Sequence, residues 1–247
     1  FLQLRPHLDL NDGKIFVSML LDDLYTCELY TTKDVKAKQA AVSKDLNEKS
    51  KIPGERFFVD ISSIKTSSYG SSKYWLLALD DCTDKAFSFF LANKSDTSSS
   101  LLTLCRQMQA QFGRLPKYIR CDDSGENRAA QRALLHAGLS VQFEFTPPST
   151  PQGNGRVERK FKTLYDRMRA AFSAAGFDEE LKYGLWAEAA AWVTYNDNLM
   201  TSSTRPVSSF RAFDERDPTH THHLRTFGEV GIVTEMEGQR LRAKLTA

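Results

Sequence analysis

No stretch of this chain is apolar for long enough to cross a bilayer, which takes about 18 consecutive apolar residues. Cysteine is scarce and scattered. The four, Cys27, Cys82, Cys105 and Cys121, include no C-x-x-C pair, so they are expected to be reduced, partly buried thiols of an intracellular protein. An excess of one charge is also missing. Lys and Arg number 33 against 31 Asp and Glu, a net charge of +2, so the chain as a whole does not attract polyanions. Any basic footprint must be local. The N-terminus has no apolar signal core and no initiating Met, which reads as a fragment of something longer. No internal repeat is visible.

The 247 residues, 41% of them hydrophobic, suffice for one large domain or a domain with arms. Residues 1–52 are uneven and end in a Lys-rich polar stretch, "TTKDVKAKQAAVSKDLNEKSK". They read as an arm or linker, residues 53–200 as the core and 201–247 as its extension. Within the core, "RFFVDIS" (56–62), "YWLLALD" (74–80) and "KAFSFFLA" (85–92) read as strands. Their short connections make an antiparallel meander, with Asp80 and Asp81 as hairpin turn residues. A helix over 95–113, capped by Asp96 or Thr97 and ended by Gly113, separates the meander from the strand "KYIRC" (117–121). That length permits a parallel crossover, placing the strand at 117 beside the strand at 56. A helix at 127–137, the strand "VQFEF" (141–145) and long helices near 155–175 and 178–199 complete an α/β mixed sheet with helices on its faces.

Three carboxylates stand out. Asp60 sits inside an apolar strand, where an ionised group costs several kcal/mol unless compensated. By itself it is as readily a satisfied structural Asp. Asp122 ends a strand, and alone it reads as an ordinary Asx-turn. Glu158 occupies a helix first turn, where a Glu complements the dipole. On that helix Val157, Phe161, Leu164, Met168 and Phe172 form the core stripe. Glu158, Lys162, Tyr165 and Arg169 run along its edge, and Arg159, Lys160 and Arg167 point further outward. Parallel neighbouring strands would bring Asp60 near Asp122, and two such carboxylates stay ionised together only around a cation. Hard oxygen donors suit Mg²⁺ or Mn²⁺. The loop "TPPSTPQGNG" ahead of Glu158 carries Gly153 and Gly155, so it reads either as mobile until substrate arrives or as a plain connection.

These residues carry a resemblance. "PGERFFVDIS", "YWLLALDDCTDKAFSFF", "IRCDDSGEN", "TPPSTPQGNGRVERK", "LWAEAAAWVTYNDN" and "HHLRTFGEVGIV" stand in the order of the integrase of copia-type LTR retrotransposons, a branch of the retroviral integrase superfamily. The ordered set spans roughly residues 53–235. The resemblance implies an RNase H-like fold and a catalytic, metal-binding triad of Asp60, Asp122 and Glu158. The 35 residues from 123 to 157 match the superfamily's interval and favour Asp122 over Asp123. It implies strand transfer of element DNA into target DNA with a two-metal Mg²⁺ or Mn²⁺ site. Asn154, Arg159, Lys160, Lys162, Tyr165 and Arg169 are the expected DNA contacts. The expected partners are DNA and a second copy of the chain, the latter through Leu181, Leu185, Trp186, Trp192 and Val193. The place of action would be the nucleus, after synthesis within a Pol polyprotein. The alternatives are an inactive integrase-derived binding or assembly module and an RNase H-type nuclease.

Departures are visible. Cys121, Ser124 and Asn127 replace a Ser, a Gly and a Phe of the family motif. In the arm, Tyr30 stands where a second Cys would follow Cys27, and His7 has no clear partner, so no zinc is expected. His220, His222 and His223 fall in a connector and are not read as ligands. The chain also stops soon after "FGEVG", ahead of the family's DNA-binding tail. Elemental analysis of purified protein should therefore give zinc well below one per chain, and stoichiometric zinc would overturn this reading of the arm.

Overall fold

In Arg56–Ser63 (β1), aromatic and β-branched residues fill the first positions of the strand. Phe57 and Val59 point to one side of the sheet and Phe58 to the other, and all three are buried. A strand buried on both faces belongs in the middle of a covered sheet. The computed structural model describes residues 49–146, 154–202, 205–219, 221 and 224–229, and β1 is the central strand of five. The others are Tyr74–Asp80 (β2), Ala86–Leu91 (β3), Tyr118–Asp122 (β4) and Gln142–Thr146 (β5), in the order β3-β2-β1-β4-β5. β1, β2 and β3 pair antiparallel, while β4 and β5 are added parallel. The expected meander and crossover are both present.

The helices are Thr97–Phe112 (α1), Gly125–His136 (α2), Gly155–Ala175 (α3), Glu179–Gly184 (α4), Trp186–Leu199 (α5) and Ser209–Asp214 (α6). α1 ends where expected, with Gly113 at φ 67°, in the left-handed region that glycine enters without cost. On one face of the sheet Phe58, Trp75, Leu77 and Leu79 pack with Val157, Phe161, Leu164, Met168 and Phe172 of α3 and with α5. On the other, Phe57, Val59, Leu76 and Ala78 pack with α1, α2 and Phe213 of α6. Phe213 lies among Phe57, Phe87 and Phe112, so α6 returns the chain to the core. Cys105 and Cys121 are fully buried free thiols, and burial pushes Cys105 up to about 12. Among the described residues no helix is long and apolar enough to cross a membrane.

The structure corrects the helix expected near 178–199. It is two helices, α4 and α5, broken at Leu185. Gly184 lies hard against the ring of Tyr69, where a Cβ would collide. Of the large side chains expected at a dimer surface, four are used within the chain: Trp186, Val193, Leu185 and Trp192. Trp186 and Val193 are buried. Trp192 packs on Phe227 at 6.0 Å and donates its indole N–H to the Arg225 carbonyl at 3.0 Å. The end of α5 is fixed by polar contacts. Asn198 accepts from the Ala86 N–H at 2.9 Å and donates to the Ala86 carbonyl at 2.8 Å. Thr194 meets Ser88, which accepts from the Trp75 indole.

The β2–β3 turn holds more than a hairpin. Asp80 and Asp81 are buried. Asp80 accepts from Gly54 N–H, Thr83 N–H and the Thr83 hydroxyl, each at 2.7 Å. Asp81 accepts from Ser50 N–H at 2.7 Å and pairs with Arg56 and with Arg156 of α3. Removing one partner of a buried pair costs about 3–5 kcal/mol, because the other charge stays buried. Asp81→Ala should therefore lower the stability read from urea unfolding by that amount. Asp84, which also meets Arg156 at 2.5 Å, is 39% exposed. Its φ of 61° is tolerated by Asn, so Asp84→Asn should cost under about 1 kcal/mol. Equal losses in the two variants would refute the special place of Asp81.

Candidate active site

β1 and β4 run side by side, paired through Phe58 and Arg120. Two residues beyond that last pair stand Asp60 and Asp122. Asp60 is half-buried, and its Oδ1 accepts from the Ile61 N–H at 2.8 Å. Burial pushes the Asp60 carboxyl above its ordinary range, and the Ile61 hydrogen bond opposes this. The charges of Asp122 and Glu158 then push it further up. The three expected residues thus share one electrostatic neighbourhood.

Glu158 reaches that neighbourhood because the start of α3 is pinned twice. Asn154, buried ahead of the helix, donates its side-chain amide to the Val59 carbonyl at 2.9 Å, one residue before Asp60. Arg156 grips Asp81 and Asp84 and lies 5.2 Å over the Phe58 ring. Glu158 follows in the same turn and is exposed.

Asp122 is exposed at the end of β4, with Asn127 of α2 donating to its Oδ1 at 2.5 Å. Its neighbour Asp123 makes a two-pronged pair with Arg128 at 2.5 and 2.7 Å. That pair holds the Asp123 carboxyl below its ordinary range and leaves Asp122 as the carboxylate felt by Asp60. Two departures from the family motif have local roles here: Ser124 caps α2 by accepting from the Asn127 N–H at 3.4 Å, and Asn127 holds Asp122.

The residues expected to meet DNA divide. Arg159, Lys162 and Arg169 are exposed, with Arg169 paired to Asp166 one turn away. Three others are occupied inside the protein. Asn154 serves β1. The Tyr165 hydroxyl meets Ser62 at 2.8 Å while its ring packs on Trp75 at 5.2 Å. Lys160 pairs with buried Asp197; burial pulls its ammonium below the ordinary range and Asp197 opposes that. Arg167 does not point outward, as the wheel suggests, but reaches the other oxygen of Asp197 at 2.6 Å. Arg156, through Asp81, and Lys160 and Arg167, through Asp197, tie α3 to the β2–β3 turn and to α5. The sequence carries one signal of this, the Asp80-Asp81 pair at the β2–β3 turn.

Hard carboxylate oxygens that repel one another suit a divalent cation, so the donor chemistry of Asp60, Asp122 and Glu158 fits Mg²⁺ or Mn²⁺. Among the described residues no three His, Cys, Asp or Glu side chains stand close enough to enclose an ion. A cavity of about 260 Å³ lined by Tyr195, Phe210 and Arg216 contains none of the three carboxylates. His7, Cys27, Tyr30, Gly153, His220, His222 and His223 lie outside the described residues.

A mixed five-stranded sheet of this order, with helices on both faces, is the RNase H-like fold of integrases. Comparison gives the particular relatives. The chain is 25% identical over 169 residues to the retrovirus-related Pol polyprotein from transposon TNT 1-94 of Nicotiana tabacum, covering 67% of this chain and 12% of that protein. It is 25% identical over 177 residues to the retrovirus-related Pol polyprotein from transposon RE1 of Arabidopsis thaliana, covering 71% of this chain and 12% of that one. This chain thus spans only a small part of the curated relatives it matches. Among solved structures it aligns, at TM-score 0.52 and 18% identity, with a chain of the simian T-cell lymphotropic virus intasome in complex with PP2A regulatory subunit B56 gamma. That alignment covers 77% of this chain and 63% of the other. No protein-family model matches the chain. The resemblance to copia-type integrase cores read from the motifs is upheld by these relatives and by the fold.

Proposed function

We propose that the chain is the catalytic core of a retrotransposon integrase, joining 3′ ends of element DNA to target DNA. The observation that carries this is geometric: Asp60 and Asp122 each stand two residues beyond the last pair of the parallel strands β1 and β4, and the start of α3, with Glu158 in its first turn, is tied to β1 through Asn154. The charges of Asp122 and Glu158 both act on Asp60. Asp60 is held on the central strand, Asp122 at the end of its parallel neighbour, and Glu158 on the pinned first turn of α3. When bound there, Mg²⁺ or Mn²⁺ would activate the attacking 3′-hydroxyl and offset charge building at phosphorus. Arg159, Lys162 and Arg169 present cations along the exposed side of the same helix, where they would hold DNA phosphates in register. In this reading DNA and further copies of the chain are its partners, the nucleus is its place of action, and residues 1–52 and 201–247 flank the core.

A second reading is an inactive integrase-derived binding module, favoured by carboxylates that do not enclose an ion. The deciding experiment incubates purified protein with Mn²⁺, a matched element end and a plasmid. Joined product is expected. Asp60→Asn, Asp122→Asn and Glu158→Gln should each abolish it with the fold retained. Activity in a folded variant would remove that residue from the triad, and wild-type protein that binds DNA without joining it would favour the second reading. Cleavage of an RNA–DNA hybrid instead would indicate a nuclease.

The DNA-facing side of α3 is tested separately. Each phosphate contact contributes about −0.9 to the slope of log affinity against log salt. Lys162→Ala should weaken DNA binding about equally across sequences and shallow that slope by about one. Arg167→Ala should leave the slope unchanged, since its guanidinium is taken by Asp197. Equal flattening by both would show that α3 does not face DNA this way.

A further inference from the structure

Asn127 stands in the first turn of α2 and is 1% exposed. Its side-chain NH₂ donates to Asp122 Oδ1 at 2.5 Å and to the Asp122 carbonyl at 3.2 Å. Its own Oδ1 is buried with no hydrogen-bond partner. Flipping the amide would set an acceptor against the two acceptors of Asp122, so the neighbours fix its orientation. An unpaired buried amide oxygen is a cost to the fold. Something must offset the cost, and the contact Asn127 makes is with one of the three carboxylates.

We propose that Asn127 is a positioning residue for divalent-cation binding: it occupies Oδ1 of Asp122 and leaves Oδ2 as the oxygen offered to the ion. This rests on the reading of Asp60, Asp122 and Glu158 as a metal site. Mg²⁺ and Mn²⁺ take octahedral, largely one-oxygen contacts from carboxylates. A carboxylate held by a neighbouring donor presents that one oxygen in a fixed direction, and loss of such an outer donor lowers metal affinity by about 10–100-fold.

The test titrates Mn²⁺ into the full chain, following free Mn²⁺ by electron paramagnetic resonance and heat by calorimetry. Asn127→Leu is close in volume and removes the orphaned oxygen, so the metal-free protein should melt at or above the wild-type temperature. Its Mn²⁺ affinity should nevertheless fall by about 10–100-fold. Asn127→Ala serves as the second variant and should show the same fall. A purely structural Asn127 would shift the melting temperature without moving Mn²⁺ affinity. Wild-type affinity in either folded variant overturns the proposal, as does failure of both variants to fold. Asp122→Asn controls the underlying reading. If the wild-type chain binds no Mn²⁺, or Asp122→Asn binds it as tightly as wild type, the metal site itself is refuted and the proposal falls with it.

Discussion

The structure hangs on a carboxylate that ought to be in water. Asp81 is buried, and burying a charge is tolerable only when it is paired and hydrogen-bonded. Its partners come from three places: the Ser50 N–H where the described chain begins, Arg56 at the head of the central strand, and Arg156 in the first turn of α3. One side chain therefore fixes the segment at Ser50, the head of the central strand and a helix start together. Asp80 beside it does the same for Gly54. Glu158 comes two residues after Arg156, so its place opposite Asp60 depends on a hairpin turn far away in sequence.

The same physics recurs along α3. Asp197 on α5 is buried between Lys160 and Arg167, while Arg205 donates to the Asp197 carbonyl at 3.1 Å. A helix whose sequence looks like a basic stripe thus commits three of its cations, Arg156, Lys160 and Arg167, to ion pairs with buried aspartates of other elements. Arg159, Lys162 and Arg169 remain exposed.

What the sequence disclosed follows from which interactions are local. Strand alternation and the Val157-to-Phe172 stripe are imposed by backbone periodicity, so the sheet, the crossover and the core face of α3 were legible. The places of Asp60 and Asp122 on neighbouring parallel strands, and of Glu158 in the first turn of α3, were legible from the strand order and the helix pattern. The partners of Lys160 and Arg156 were not, because Asp197 and Asp81 lie 37 and 75 residues away and periodicity carries no information at that range. Tyr165 shows the same limit: its wheel position suggested a phosphate contact, but Ser62, 103 residues distant, takes its hydroxyl. The break between α4 and α5 had a weak signal in Gly184, whose meaning depends on Tyr69 packing against it.

The side-chain amide of Asn198 pairs with both the N–H and the carbonyl of Ala86, on a strand that ends the sheet. It imitates the backbone of a sixth strand at the residue where that strand would start. Open sheet margins invite other chains to add on and propagate into aggregates. A single asparagine at the end of a helix blocks that register at its origin, which lets a strand as apolar as Ala86–Leu91 lie at the margin of a sheet.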